Sequence, residues 1–220
     1  MRLLTVNVVE ELIPGPKRTG WTAIDKRPQG GRVRVGELGL AGDSVCDVEN
    51  HGGLDQAVYA YSEEDARWWS EQLGREIPSG LFGENLRTEG IDLTNALIGE
   101  VWRIGDEVEV QVRAPRIPCI TFQHRMGIPG WVKWFHQAQR PGLYFKVLRT
   151  GTIAAGDEMT VVSRPEHEVT VGVMFEAQDS AKMQGMLDSG VDLMVECREI
   201  AERVAARPVS KPGSTPSSTQ

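Results

Sequence analysis

The chain has 220 residues, a net charge of −7, 40% hydrophobic and 25% charged residues. That length holds one substantial core, or one core with a small appendage. The acidic balance lacks the basic face of a nucleic-acid binder, no stretch approaches the ~20 apolar residues of a membrane helix, and Met1 to Leu12 lacks the apolar run of a secretory leader. A cytoplasmic protein with no nucleic-acid or membrane partner is therefore expected.

Leu3 to Val9 reads as a first strand, broken by Pro14, Gly15, Pro16 and Gly20. Arg32 to Val35 is a short strand. Gln56 to Tyr61 (QAVYAY) is a strong one, entered from Gly52-Gly53. Ser62 is an expected helix N-cap, with Glu63, Glu64 and Asp65 in the first turn and Gly74 at the end. A short strand follows near Asn85 to Thr88. Glu100 to Ile104 and Glu107 to Arg113 read as a hairpin around Gly105-Asp106, ended by Pro115. Pro129 to Gln137, with Trp131, Trp134 and Phe135 at helical spacing, reads as a helix with core aromatics. Leu143 to Arg149 and Glu158 to Val162 are expected to pair with each other.

Many short strands with glycine-rich turns and few helices predict a mainly β protein, a closed antiparallel barrel. Closure also removes exposed sheet edges. The barrel is assigned to residues 1–165 and a small helical region to 166–206, with helices at Ser180 to Leu187 and Asp192 to Ala206. From Arg207 the chain contains only Arg, Pro, Val, Ser, Lys, Gly, Thr and Gln, so 207–220 is expected to be a disordered tail.

The cysteines, Cys46, Cys119 and Cys197, are too scattered for a disulfide framework or a CxxC metal site. A metal held by cysteine would be held by one. Three glycine- or proline-framed segments carry candidate chemistry. The first is Gly42-Asp43 with His51-Gly52-Gly53-Leu54-Asp55, where two glycines let backbone amides approach a ligand and His51 can donate a proton. The second is Gly80 to Leu86, containing Glu84 and Asn85. The Asn85 amide offers donors and an acceptor to a heterocycle edge. The third is Ala114-Pro115-Arg116-Ile117-Pro118-Cys119. Two prolines stiffen it, and Arg116 stands three residues before a cysteine, where a guanidinium favours the thiolate. Arg116 also suits a phosphate. With Arg113 it forms a close basic pair that fits a small anion better than a duplex.

In order and spacing, His51-Gly-Gly, Phe82-Gly-Glu-Asn-Leu and Pro115-Arg-Ile-Pro-Cys119 resemble the stand-alone bacterial MOSC proteins of the YiiM type. Gly39 to Asp43, Ile98-Gly99, Gly142-Leu143-Tyr144 and Gly156-Asp157 share the resemblance, which covers Leu3 to Arg164. A basic residue is common two positions after the family cysteine; here that position is Thr121. The resemblance implies a closed antiparallel β-barrel of the pyruvate-kinase type with a few helices. It also implies the pyranopterin molybdenum cofactor, with Cys119 as the metal ligand. Arg116, Asn85, Gly52, Gly53 and Glu84 would bind the cofactor, and His51, oriented by Asp43 or Asp55, would join Cys119 in catalysis.

The implied reaction reduces an N-hydroxylated small molecule to the amine and water, using two electrons and two protons. The chain carries no dinucleotide, haem or iron–sulfur signature, so a redox partner protein is expected to supply the electrons. Covalent PLP is not expected, because no lysine lies close in sequence to the three segments. The main alternative is a sulfur or cofactor carrier bearing a persulfide on Cys119. A thiol hydrolase pairing Cys119 with His51 is a further reading, disfavoured by Pro118 and by the expected lack of a helix start behind the cysteine. A barrel that keeps the family shape without a cofactor is the last.

Overall fold

The computed structural model describes residues 1–16, 18, 20–47 and 52–207. His51 and the expected tail beyond Arg207 lie outside the described residues. The chain opens with β1 (Arg2–Val9), a small ribbon of β2 (Ile13–Pro14) and β3 (Trp21–Thr22), then β4 (Lys26–Pro28), β5 (Val33–Gly36) and β6 (Gly39–Leu40). A single 3-10 turn at Leu54–Gln56 leads into β7 (Val58–Ser62), α1 (Glu63–Leu73) and β8 (Leu86–Glu89). The hairpin β9 (Val101–Ile104) and β10 (Val108–Pro115) follows, then α2 (Ile120–Met126) and α3 (Trp131–Ala138). Strands β11 (Leu143–Arg149), β12 (Gly151–Ile153) and β13 (Met159–Ser163) precede α4 (Val171–Glu176), α5 (Ser180–Asp188) and α6 (Val195–Ala205).

The main sheet has eight strands in the order β13-β9-β10-β11-β7-β8-β1-β4. It corrects the expected closed antiparallel barrel in two respects. First, β7 and β8 run parallel, with Ala60 against Leu86 and Tyr61 against Arg87. Helix α1 lies between them in sequence and supplies the crossover that a parallel pair needs. Second, among the described residues no ladder joins the two flanks. Strand β1 pairs with β8 over Arg2 to Val6 and with β4 over Asn7 to Val9. Only its first residues remain on the side of β13: Arg2 makes an isolated bridge with Glu158, just before that strand, and the Met159 N–H donates to the Met1 carbonyl at 3.0 Å. The Leu3 N–H donates to the Asp157 carbonyl beside that bridge at 2.9 Å. The sheet is open and mixed.

Strands β11 and β13 do not pair with each other as expected. Strand β11 lies between β10 and β7, and β13 lies on β9. The chain between them forms β12, which pairs with β5.

Two cores flank β7. Val58 and Ala60 face an apolar cluster with Leu3, Val112 and Phe145. Met174, Met183 and Ala201 of the C-terminal helices join the same cluster. Tyr59 and Tyr61, on the opposite face, join an aromatic cluster with Trp69, Phe82, Phe122, Trp131 and Phe135. Side chains alternate along a strand, so burial on both faces explains the apolar and aromatic run Val58 to Tyr61. Helix α1 begins as expected: the Ser62 hydroxyl accepts from the Asp65 N–H at 3.1 Å, and Gly74 closes it at φ 60°. No helix among the described residues is long and apolar enough to cross a membrane.

Candidate functional site

Strands β3, β4, β7 and β11, the 40–47 segment and the start of α2 line a cavity of about 320 Å³. Cys119, Arg116, Asn85, Gly52 and Gly53 all line it, so residues far apart in sequence are brought together. Both glycines have positive φ, 83° and 75°, which lets the chain turn without a strained side chain.

Cys119 is half-buried and is the N-cap of α2, with extended backbone and no side-chain cap bond. A helix start does stand behind the cysteine, against expectation, because Pro118 ends the extended segment and the chain turns directly into Ile120–Met126. Thr121, in the first turn of that helix, also lines the cavity.

Arg116 is 6% exposed. Its guanidinium lies 4.3 Å from the Phe122 ring centroid and 5.4 Å from that of Tyr59, cation–π distances for a desolvated charge. Burial works against this charge, but Tyr144, Tyr59 and Cys119 offset it and hold the pKa above the ordinary arginine value. Its Nη1 is buried with no hydrogen-bond partner. Burying a cationic donor without an acceptor costs about 1–3 kcal/mol or more, so this atom marks a place for an anion. Burial likewise raises the pKa values of Tyr59 and Tyr144 above those of ordinary phenols.

Lys26, which the sequence did not single out, is the second cation in the cavity wall. Its Nζ lies 2.6 Å from Asp43 Oδ2. Burial lowers its pKa, Asp43 and Glu84 oppose the shift, and Arg116 adds to it. Sequence distance concealed this lysine: β4 carries it to the cavity from outside all three segments. Asp43 also accepts from the Val9 N–H at 3.0 Å and from Asn85 Nδ2 at 2.7 Å.

Asn85 is committed to the scaffold. Its Oδ1 accepts from the Tyr59 N–H at 3.0 Å, and its Nδ2 also donates to the Asn7 carbonyl at 3.3 Å. Both donors are used, so it positions Asp43 rather than reading a heterocycle. Glu84 does not line the cavity. It is fully buried and accepts from the Gly80 and Phe82 N–H groups and from Arg87 Nε and Nη2. Its expected role in cofactor binding is corrected: a buried carboxylate needs these donors, and they leave it facing the protein.

The other expected members are also accounted for. Asp55 lies 2.8 Å from Arg113 Nε, out of line for a hydrogen bond, and Asp192 lies 3.1 Å from Arg113 Nη1. Arg113 is therefore bound by carboxylates and is no anion site. His51 lies outside the described residues. Among the described residues, no group of three or more His, Cys, Asp and Glu side chains is arranged to hold a metal.

A half-buried cysteine, a buried guanidinium whose Nη1 has no hydrogen-bond partner and a lysine–aspartate pair share the wall of one cavity. Comparisons give the family. A MOSC domain profile matches residues 47–160. The uncharacterized protein YflK of Bacillus subtilis (strain 168) is 37% identical over 150 residues, 68% of this chain and 67% of that protein. A protein named Reductase from Gibberella moniliformis (strain M3125 / FGSC 7600) is 32% identical over 147 residues, 66% of this chain but only 26% of that protein. The crystal structure of YiiM from Geobacillus stearothermophilus superposes with a TM-score of 0.75 at 27% identity, covering 93% of this chain and 99% of that one. The chain belongs to the MOSC domain family and is similar to YiiM.

Proposed function

We propose that this protein holds a pyranopterin molybdenum cofactor through Cys119 and reduces N-hydroxylated small molecules with it. The observation that carries the reading is Cys119 beside a buried Arg116 whose Nη1 lacks a partner. The donor set fits the group. A thiolate suits a thiophilic metal that brings its own sulfur ligands, and a guanidinium suits the attached phosphate. MOSC domains are associated with this cofactor, and one relative is named Reductase.

Bound there, the cofactor supplies two-electron oxygen-atom chemistry. Cys119 anchors it at the start of α2. Arg116 neutralises its charge in a site where burial strengthens the attraction. The Asn85–Asp43–Lys26 chain fixes the second cation. Lys26 Nζ, with its pKa lowered, holds a proton 2.6 Å from Asp43 Oδ2, a source for the protons that reduction consumes. Electrons come from a separate redox protein, and the setting is cytoplasmic.

The test is elemental analysis of protein made in a host that synthesises molybdopterin and in the same host blocked in that pathway. Stoichiometric molybdenum is expected in the first preparation and none in the second. Cys119→Ser should lose both the metal and N-hydroxyl reduction. Full molybdenum and activity in that variant would overturn the reading. A labile persulfide on Cys119 with little metal would support the sulfur-carrier alternative.

A further inference from the structure

The fold divides the chain's three cysteines between two cavities. Cys46 and Cys119 both line the cavity of about 320 Å³. Cys197 lines a second cavity of about 540 Å³, which shares Gly52, Gly53, Gln56 and Tyr144 with the first and has Met174 and Ile200 of the C-terminal helices in its facing wall. The first cavity therefore holds two thiols that lie far apart in sequence.

The two thiols are held differently. Cys119 follows Pro118 and begins α2, so its backbone is fixed. Cys46 lies in the stretch 43–47, which has no helix or strand. That stretch is anchored at Asp43, whose carboxylate meets the Val9 N–H, Asn85 Nδ2 and Lys26 Nζ. It packs on the Gly52 turn, where an added Cβ would stand 3.4 Å from Val45 Cγ2. Three residues beyond an anchor reach at most roughly 10 Å, which keeps Cys46 at the cavity. Irregular backbone can also adjust to disulfide geometry, with Cα atoms within about 7 Å, without breaking a ladder.

Both cysteines are half-buried, and neither is in a disulfide. Their chain neighbours Val45 and Ile120 are 41% and 50% exposed, so a small oxidant reaches the pair. Arg116 and Lys26 put two cations in the same wall, the electropositive, part-exposed setting in which a cysteine is oxidised. Cys197, 4% exposed, lacks that setting.

We propose that Cys46 and Cys119 form a reversible disulfide in the cofactor-free protein, with hydrogen peroxide as the oxidant. The Cys119 sulfur takes one oxygen from the peroxide, giving a sulfenic acid and one water. The Cys46 sulfur then attacks that sulfur. The S–S bond forms, the S–O bond breaks, and the oxygen leaves as a second water with the Cys46 proton. The two sulfurs together lose two electrons, which the O–O bond takes up. A dithiol reductant reverses the step. While the bond lasts, Cys119 cannot take a metal, and its sulfur stops short of the irreversible sulfinic acid. The disulfide follows from the shared cavity and stands whether or not the reductase reading does.

The experiment uses full-length protein from a host blocked in molybdopterin synthesis, reduced, desalted and treated with a small excess of hydrogen peroxide. Non-reducing peptide mapping should find Cys46 joined to Cys119 in monomeric protein. The thiol count of the denatured chain should fall from three to one, and dithiothreitol should restore it. In Cys46→Ser the same treatment should carry Cys119 to sulfinic acid several times faster than in the parent, beyond rescue by dithiothreitol. Phenylarsine oxide, which bridges neighbouring thiols, should block iodoacetamide at Cys46 and Cys119 in the reduced parent, a measurement that needs no variant. Sulfinic acid on Cys119 of the parent at the rate of Cys46→Ser, or cross-links only between molecules, would overturn the proposal. Protein made with the pathway intact should resist the cross-link in proportion to its molybdenum. Molybdenum-loaded protein that cross-links as readily as the cofactor-free form would support the disulfide and overturn Cys119 as the metal ligand alone.

Discussion

Replacing Glu84 by alanine separates scaffold from ligand shell. The parent carboxylate accepts from Gly80 N–H at 2.8 Å, Phe82 N–H at 3.1 Å and Arg87 Nε at 3.1 Å, and pairs with Arg87 Nη2 at 2.5 Å. Arg87 is itself only 2% exposed. It keeps Glu63 at 3.0 Å and the carbonyls of Ile77 and Pro78, which limits the loss. Removing one partner of a buried pair costs about 3–5 kcal/mol, and each orphaned amide adds about 1 or more. Some water entry would offset part of this, so Glu84→Ala should lose about 3–5 kcal/mol in urea unfolding. For a chain of this size that is a fall in Tm of roughly 6–20 °C. Molybdenum per folded molecule should stay near the parent value. A loss under about 1 kcal/mol, with a parent-like melt and an emptied metal site, would refute the argument and make Glu84 a cofactor ligand.

Other outcomes follow from the same geometry. Burial pushes the Cys197 thiol from 9.0 up to about 12, so iodoacetamide near pH 8 should label Cys119 and leave Cys197 unmodified, as peptide mapping will show. Because that folded pKa is raised, the unfolded chain binds fewer protons between pH 9 and 12. Stability should fall with rising pH there by up to about 1.4 kcal/mol per unit, and Cys197→Ala should remove that part of the slope in denaturation series. Lys26→Met leaves Asp43 with only its Asn85 and Val9 donors; it should cost about 1–3 kcal/mol and reduce molybdenum content severalfold. Gly80→Ala would set a Cβ 2.2 Å from the Lys26 carbonyl at φ +86°. It should destabilise the fold by about 1–3 kcal/mol or more and disturb the same lysine, which thermal melts and metal analysis will read together.

What could be read from sequence follows the range of the physics. Strand β1, the β9–β10 hairpin and α1 with its Ser62 and Gly74 caps were legible because alternation, turn glycines and capping act over a few residues. Cys119 and Arg116 were legible because prolines fix them locally. The parallel β7–β8 pair was not, because nothing in β7 itself records that α1 returns the chain to the same side. Sheet closure depends on which edge of β1 is already taken by β4, a long-range fact. Lys26 was missed because it sits in a short, charged strand, and its role appears only when Asp43 comes within 2.6 Å. Glu84 and Asn85 were recognised as special but assigned to a ligand. Their partners, Arg87 and the backbone of Asn7 and Tyr59, are what claim them.

The cavity draws Lys26 and Asp43 from before residue 47 and its neighbour draws Met174 and Ile200 from after residue 160, whereas the family match spans 47–160. A fragment trimmed to the matched span would therefore keep the sulfur and the guanidinium while discarding a cation, its counter-charge and the facing wall. Grafting such a piece into a fusion would transplant a recognisable signature without a working container. Any minimal unit of this protein has to begin with its first strand and run through its last helix.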